Sequence, residues 1–292
     1  MPSKMWSVVD LLDWTTGYFQ QHGIPNPRLD AEVLLGHLLK KSRLQLYLHF
    51  EMPVFQEHLT PFRELIKKRI AHTPVSYLTN RKEFMSLDFY VDERVLIPRP
   101  ETEQLVETIL TAETENFQRL LELGTGSGVI ATSLAVQHAE WEIVATDISE
   151  PALAVARKNA EIHACTAQIK FLSGDLFEPV AAICANGDAQ FDWIVCNPPY
   201  IKNTERDTLS PDVRDHEPEI ALFAGDDGLD VIRRLIAEAP KYLAPAGKLI
   251  LEIGATQANT IQTFLEAESA YATYELFKDY AGKERIVLAS VP

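Results

Sequence analysis

The stretch LELGTGSGVIATSLA, residues 121–135, decides the fold of this 292-residue chain. The run RLLEL over residues 119–123 is typical of a buried strand, and the apolar second half of the stretch is typical of a helix. Three glycines, Gly124, Gly126 and Gly128, join the two. Glycine at such a junction permits a tight turn, a close approach of the backbone to a ligand and close packing of helix on strand. The pattern therefore indicates a strand–loop–helix unit of an α/β fold.

The spacing of these glycines bears on whether the loop binds a dinucleotide or a nucleoside without a pyrophosphate. The dinucleotide fingerprint has its third glycine one position later, where this chain has Val129. The loop, with Thr125 and Ser127 in it, suits a nucleoside without a pyrophosphate at least as well. Asp147 ends the next strand, where a carboxylate can accept hydrogen bonds from both ribose hydroxyls. A glycine turn without a ligand, and an aspartate that only caps a helix, are the alternatives.

Strands and helices alternate on both sides of this loop. The predicted strands cover residues 119–123, 141–147, 168–175, 191–197 and 247–254. Such alternation predicts an α/β fold with a doubly wound, mostly parallel sheet that is covered by helices on both faces. The tail over residues 271–291 contains two more strands close together, which predicts an antiparallel hairpin at the edge of the sheet.

The first eighty residues have a helical pattern without a strand signal. The predicted helices cover residues 7–23, 26–41 and 59–73, and the last of them begins at Thr60-Pro61. Residues 83–98, EFMSLDFYVDERVLIP, alternate around Asp92-Glu93 and predict a β-hairpin with its turn there. We therefore expect a small helical bundle over residues 1–82, a hairpin connector over 83–98 and an α/β domain over 99–292.

Composition restricts the class of protein further. Hydrophobic residues make up 46% and charged residues 24%, as in ordinary globular proteins, and no apolar run is long enough to span a membrane. The three cysteines show no metal-ligand spacing, so we expect no metal, and a cytoplasmic location is the expectation. The net charge of −15 lies almost entirely beyond residue 98. This acidic part repels a phosphate backbone, so no direct nucleic-acid partner is expected.

A second motif follows the strand over residues 191–197. The chain leaves this strand through Asn197-Pro198-Pro199-Tyr200. The side-chain carbonyl of Asn197 and the backbone carbonyl of Pro198 can accept the two N–H groups of a planar –NH₂, and Pro199 restricts Pro198 to extended geometry. Tyr200 could stack on the planar group. Adenine N6 and the side-chain amide of glutamine both fit such a site, and a rigid turn without a ligand is the alternative.

The two motifs together resemble the class I S-adenosylmethionine-dependent methyltransferases. The resemblance implies that the glycine loop wraps the methionine part of S-adenosylmethionine and that Asp147 holds the ribose. It also implies that Asp175 and Leu176, in the stretch GDLF, lie by the adenine, and that Asn197 lies next to the cofactor.

Longer stretches resemble one family within that class. Residues 74–107 and 217–230 are similar to the protein-(glutamine-N5) methyltransferases that act on peptide chain release factors, and Arg99-Pro100-Glu101-Thr102 matches this branch. The resemblance implies a release factor as protein partner and the glutamine of its Gly-Gly-Gln loop as substrate. The chain departs from the pattern of this family at Asn80, where glycine is common, and at a longer insertion over residues 178–190.

Several alternatives remain open at this level. A DNA adenine N6 methyltransferase shares the tetrapeptide, a glutamine methyltransferase acting on a ribosomal protein is a close relative, and a module that binds the cofactor without catalysis is the third alternative. The polar segment 202–218 could close over a substrate or be a solvated loop, and the basic stretch 63–69 could dock the partner or be a solvated helix face. The oligomeric state is open, with a monomer as the expectation.

Overall fold

The computed structural model describes residues 5–112, 118–184 and 190–292, so part of the predicted insertion at 178–190 lies outside the described residues. The helices in these ranges are α1 Val8–Gln21, α2 Pro27–Leu39, α3 Arg43–Leu48, α4 Gln56–Ile70, α5 Val75–Thr79, α6 Pro100–Ala112, α7 Val129–Gln137, α8 Glu150–Ile162, α9 Glu178–Cys184, α10 Pro211–Arg214, α11 Asp230–Glu238 and α12 Ala258–Ala267. The strands are β1 Trp6–Ser7, β2 Pro53–Val54, β3 Lys82–Phe84, β4 Leu87–Phe89, β5 Arg119–Leu123, β6 Glu142–Asp147, β7 Ile169–Ser173, β8 Phe191–Cys196, β9 Leu243–Glu252, β10 Thr273–Lys278 and β11 Glu284–Ser290.

The described residues form two compact units. One contains the chain up to Arg81 together with Ser210–His216, and the other contains Lys82–Leu209 and Glu217–Pro292. The first unit is helical apart from the two-residue pairing of β1 with β2, which the sequence did not predict. The second unit contains the large sheet and both sequence motifs. The proposed three-part division at residues 82 and 98 stays a prediction.

The helical unit forms around an apolar interior supplied by several helices. Ser7 caps α1, since its hydroxyl accepts from the backbone N–H of Asp10 while the Asp10 carboxylate accepts from the backbone N–H of Ser7. Helix α4 begins at Gln56, before the predicted start, and carries Pro61 in its second turn. Leu59 and Phe62 of α4 are buried in the core, and this packing outweighs the hydrogen bond that a proline removes.

The basic stretch 63–69 is not a uniform solvated face. Arg69 is buried, and its guanidinium pairs with Asp30 of α2 at 2.7 Å and with Asp212 at 2.9 Å. Asp212 lies in α10, within the polar segment 202–218. His216 of the same segment contacts the backbone carbonyl of Ala71 at 3.0 Å. Arg69 therefore supports the interior of the helical unit, and its charge is not available to a partner.

The connector hairpin has a different turn from the predicted one. Strands β3 and β4 pair in antiparallel fashion with Phe84 opposite Leu87, so the turn lies at Met85-Ser86 and the prediction at Asp92-Glu93 was wrong. Both turn residues have positive φ, 50° and 60°, which is the geometry of a tight two-residue hairpin. Met85 and Ser86 do not indicate a turn in the sequence, because glycine or asparagine usually marks such a turn. The Glu103 carboxylate accepts from the backbone N–H of Met85 at 2.6 Å and stabilises it.

Seven of the described strands form one sheet in the order β10-β11-β9-β8-β5-β6-β7. Strands β9, β8, β5, β6 and β7 are parallel, whereas β11 and β10 continue the sheet in antiparallel pairing. This arrangement confirms the predicted doubly wound sheet with an antiparallel edge. Strand β9 begins at Leu243, before the predicted start at Gly247.

The sheet is covered on both faces by apolar helix surfaces. Leu120 of β5 belongs to the core cluster on one face, together with residues of α6 and α7. Its neighbour Leu121 belongs to the cluster on the other face, with residues of α11 and α12. Alternation along a strand explains this, since successive side chains point to opposite faces. By the same rule, Glu122 lies on the face of Leu120, under the start of α7.

Candidate active site

Both motifs meet at the carboxyl ends of the central strands. The glycine loop follows β5 and the Asn-Pro-Pro-Tyr segment follows β8, and these two strands are neighbours at the point where the strand order changes direction. Doubly wound folds bind their ligands at this point. A cavity of about 190 Å³, open to solvent, lies there. The predicted site residues in its wall are Gly124, Gly126, Asp147, Asp175, Leu176, Asn197, Pro198 and Pro199.

The glycine loop has a backbone that side chains would disturb. Gly124, Gly126 and Gly128 have φ values of +68°, +55° and +78°, in the left-handed region that favours glycine. A Cβ on Gly128 would also lie 2.9 Å from the Cβ of Ala156 on α8. The loop is therefore a tight, closely packed turn at the N-terminus of α7, as the sequence predicted.

Thr125 and Ser127 are buried and support the loop from beneath. The Thr125 hydroxyl donates to the carboxylate of Glu122 at 2.7 Å. The backbone carbonyl of Ser127 accepts from the side-chain amide of Asn159 at 2.8 Å. The Thr125 side chain and the Ser127 backbone therefore act on the shape of the loop, whereas Gly124 and Gly126 form part of the cavity wall.

Asp147 is bound to the glycine loop by two backbone hydrogen bonds. One carboxylate oxygen accepts from the N–H of Gly126 at 2.8 Å, and the other accepts from the N–H of Ser149 at 2.8 Å. Burial raises the pKa of Asp147, and the two hydrogen bonds oppose that rise. Because a carboxylate offers about four acceptor positions, Asp147 can accept two further hydrogen bonds from a ligand in the cavity.

Glu122 is a site residue that the sequence analysis missed. Its side chain is buried in β5 and accepts from the Thr125 hydroxyl and from the backbone N–H of Ala131 at 3.0 Å. Burial raises the pKa of Glu122 to about 8. The signal for it was present, since a glutamate in the middle of the apolar run RLLEL is costly unless it has partners.

Asp175 and Leu176 form a more exposed part of the cavity wall. The Asp175 carboxylate pairs with the guanidinium of Arg234 on α11 at 2.7 Å. Leu176 has a φ of +46°, which is unusual for a residue with a branched side chain, and its carbonyl accepts from the Thr146 hydroxyl at 3.2 Å. This hydrogen bond joins the end of β6, next to Asp147, to the loop after β7 that carries Leu176.

Asn197 is held by a chain of hydrogen bonds that begins on α6. The side-chain amide N–H of Asn197 donates to the Thr102 hydroxyl at 3.0 Å, and that hydroxyl donates to the carboxylate of Glu252 at 2.6 Å. Glu252 ends β9, and its burial raises the pKa to about 7. From the sequence, Thr102 was recognised only as part of the family motif Arg99-Pro100-Glu101-Thr102, and no role was predicted for Glu252.

Tyr200 is placed behind the cavity wall in the described structure. Its hydroxyl lies 3.4 Å from the Glu252 carboxylate, and its ring packs on the apolar cluster beside β8. Burial and the nearby Glu252 raise the pKa of Tyr200 to about 12. The stacking of Tyr200 on a substrate group stays a prediction, and the contact observed for its hydroxyl is with Glu252.

The exit of the Asn-Pro-Pro-Tyr segment is held by a second loop. The side-chain amide of Gln257 donates to the carbonyls of Tyr200 and Gly228, each at 3.0 Å. A Cβ on Gly228 would lie 2.3 Å from the Tyr200 carbonyl oxygen, so only glycine fits there. Glu217, also in the stretch 217–230, accepts from Arg99 at 2.6 Å and from the N–H of Ile97. These contacts explain why that stretch accompanies the motif.

Among the described ranges, no group of three or more histidine, cysteine, aspartate and glutamate side chains could hold a metal ion. Within those ranges, no helix has both the length and the apolar composition needed to cross a bilayer. The cysteines Cys165, Cys184 and Cys196 are free.

Comparison with known proteins supports the fold and defines the class. A methyltransferase from Pyrococcus furiosus of known structure matches with a TM-score of 0.51 at 20% identity, over 81% of this chain and 98% of that chain. The family model described as the methyltransferase small domain matches residues 100–211. The fold and the position of the cavity define a class I methyltransferase.

Relatives of higher identity define the family. A release factor glutamine methyltransferase from Geobacter sulfurreducens is 41% identical over 258 residues, 88% of each chain. Another from Rhodopirellula baltica is 39% identical over 287 residues, 97% of this chain and 95% of the relative. The PrmC N-terminal domain model matches residues 10–79. The chain belongs to the release factor glutamine methyltransferase family, which confirms the resemblance found in the sequence.

Proposed function

We propose that this enzyme transfers the methyl group of S-adenosylmethionine to the side-chain amide nitrogen of the glutamine in the Gly-Gly-Gln motif of peptide chain release factors. The observation that carries the proposal is the orientation of Asn197. Its N–H donates to Thr102, which leaves its carbonyl oxygen for the cavity that Asn197 lines. An acceptor at this place suits an amide –NH₂, and the family of the chain supplies the substrate class.

The cavity wall fits the proposed cofactor. Asp147 has free acceptor positions for the two ribose hydroxyls, and we expect Asp175 and Leu176, which line the same cavity, to lie by the adenine. The glycine loop offers backbone without side chains for the methionine part. When bound, S-adenosylmethionine supplies an electrophilic methyl group on a positively charged sulfur.

The reaction requires orientation more than acid–base chemistry. An amide nitrogen is a poor nucleophile because its lone pair is delocalised into the carbonyl. The Asn197 side-chain carbonyl and the Pro198 backbone carbonyl together accept both N–H groups, which holds the nitrogen with its lone pair toward the methyl group. Fixed dipoles and a restricted approach supply most of the rate enhancement. The proton of the methylated nitrogen leaves to solvent.

The partner and the arrangement of the chain follow from the same proposal. The helical part over residues 1–82 docks the release factor, the hairpin over 83–98 connects, and residues 99–292 catalyse. The segment 202–218 borders the cavity through Pro218 and is a candidate cover for the bound loop. A substrate that acts on ribosomes implies a cytoplasmic enzyme.

One labelling experiment tests the proposal. The enzyme is incubated with radiolabelled S-adenosylmethionine and purified release factor, either wild type or with the Gly-Gly-Gln glutamine changed to alanine. We expect label in the wild-type factor and none in the variant. Equal labelling of both would contradict the proposal. Parallel reactions with a double-stranded DNA and with ribosomal protein test the two related activities. Methyl transfer to one of these and not to the release factor would contradict the proposal and favour that activity.

A further inference from the structure

The hydroxyl of Thr102 lies between a side-chain amide and a buried carboxylate. Its oxygen is 3.0 Å from the Asn197 amide nitrogen and 2.6 Å from a Glu252 carboxylate oxygen. A hydroxyl has one proton to donate, and an ionised carboxylate can only accept. Above a pH of about 7, where Glu252 is ionised, the Thr102 proton therefore goes to Glu252, and the hydroxyl can only accept from Asn197.

This polarity decides which end of the Asn197 amide faces the cavity. Because the Thr102 hydroxyl accepts, Asn197 must present its –NH₂ to Thr102 and its carbonyl oxygen to the other side. Rotated by half a turn, the amide would present two donors to a substrate amide that is itself a donor. Such an arrangement removes the hydrogen bond from the substrate nitrogen to Asn197 and leaves only the Pro198 carbonyl to accept from that nitrogen.

We propose that Thr102 and Glu252 are positioning residues that orient the Asn197 carbonyl oxygen toward the substrate amide. This inference deepens the proposed function and rests on it. Neither residue lines the cavity, so both act through Asn197. The site is rigid: Thr102 and Glu252 are 2% and 1% exposed, and they belong to different elements, α6 and β9.

The charge state of Glu252 makes the orientation of the Asn197 amide depend on pH. Besides Thr102, the groups that act on Glu252 are Arg285 of β11, which favours its ionised form, and Glu101 of α6, which opposes it. Tyr200 adds a hydrogen bond from the loop after β8. Buried Cys196 lies close enough for Glu252 to raise the pKa of its thiol. Protonation of Glu252 makes it a donor, so Thr102 can then donate to Asn197 and reverse the amide.

The test compares Thr102→Val, which keeps the shape without the hydroxyl, with Thr102→Ser, which keeps the hydroxyl. Single-turnover methylation of the release factor should slow at least about tenfold in the valine variant and stay within about threefold of wild type in the serine variant. Affinity for S-adenosylhomocysteine, measured by calorimetry, should stay within about threefold in both. A valine variant as fast as wild type, or a serine variant as slow as valine, would overturn the inference.

Two further measurements separate positioning from a general structural effect. In an Asn197→Ala background, Thr102→Val should slow the residual reaction by less than about threefold, since its effect passes through Asn197. A full tenfold loss of rate in the Asn197→Ala background would show that Thr102 does not act through Asn197. The wild-type rate should also fall as the pH drops through about 7, and this acid limb should be absent in Thr102→Val.

Glu252→Gln provides the test if the valine variant does not fold. It removes the titrating group while preserving the shape, so the acid limb should disappear. An acid limb that persists in Glu252→Gln would overturn the inference. If wild-type enzyme methylates no release factor at all, the proposed function fails, and that result is distinct from a failure of the variants.

Discussion

The two loops at the mouth of the cavity are supported in the same way but from different distances along the chain. Under the glycine loop, buried Glu122 accepts from a threonine hydroxyl at 2.7 Å, and under Asn-Pro-Pro-Tyr, buried Glu252 accepts from another at 2.6 Å. Thr125 is three residues from Glu122, whereas Thr102 and Glu252 are 150 residues apart. The threonine–glutamate contact under the glycine loop is local in sequence, whereas the one under Asn-Pro-Pro-Tyr requires the assembled sheet.

This difference separates cofactor binding from catalysis. The glycine loop is held by β5, α7, α8 and β6, the last through Asp147. Asn197 is held instead by Thr102 of α6, which is bonded to Glu252 of β9. Changes on one side should therefore affect one property and spare the other.

The largest expected effect comes from removing Asn197. Asn197→Ala loses one of the two acceptors for the substrate amide, so the rate constant for methyl transfer should fall at least about 100-fold. The dissociation constant for S-adenosylhomocysteine should change by less than about threefold. Single-turnover kinetics and calorimetry measure the two quantities, with Asn259→Ala on the exposed face of α12 as control. A comparable loss of cofactor affinity would contradict the separation.

The converse change is Asp147→Asn on the side of the glycine loop. An asparagine has one acceptor oxygen, so it cannot accept from both Gly126 and Ser149, and its –NH₂ opposes one of these donors. We expect the dissociation constant for the cofactor to rise about tenfold or more, while the rate at saturating cofactor falls little. Exposed Asp226→Asn serves as control. Unchanged affinity in Asp147→Asn would show that Asp147 does not hold the ligand.

Burial of Glu122 predicts a stability effect that depends on pH. Its pKa in the folded protein is about 8, above the usual range, so its contribution to stability is complete at low pH and is lost as the pH rises through about 8. Glu122→Gln lacks this loss. Its melting temperature relative to wild type should increase by about 5 °C between pH 5.5 and pH 8.5. Exposed Glu161→Gln on α8 is the control, and an equal difference at both pH values would refute the assignment.

The smallest effect is expected at Asp175. Its ion pair with Arg234 is partly exposed, with 35% of the Asp175 side chain accessible, so solvent screens it. Asp175→Asn should change the dissociation constant for the cofactor by less than about threefold and leave the methyl-transfer rate unaltered. A tenfold loss of affinity would mean that Asp175 contributes as much as Asp147.

The sequence predicted what local patterns determine. The strand RLLEL, the glycine loop and the exit through Asn197 all have short-range signals, and the structure has them at the predicted places. Asn80, where the family commonly has glycine, ends α5 with a φ of +51°, a conformation that asparagine tolerates better than most residues. Such positions follow from backbone chemistry alone.

Long-range contacts could not be predicted in this way. Thr102 and Glu252 have no local feature that indicates a common partner, because the folded sheet brings α6, β8 and β9 together. The same holds for Arg69, whose partners Asp30 and Asp212 are remote in the chain. The hairpin turn at Met85-Ser86 was missed for a different reason, since neither residue carries the usual turn signal.

The most direct measurement is a crystal structure of the enzyme with S-adenosylhomocysteine and a peptide containing Gly-Gly-Gln. We expect the glutamine amide nitrogen within hydrogen-bond distance of the Asn197 side-chain oxygen and the Pro198 carbonyl oxygen, with the sulfur facing that nitrogen. Asn197 should still donate to Thr102. A glutamine held by other groups, or an Asn197 amide that turns its –NH₂ to the peptide, would contradict the account.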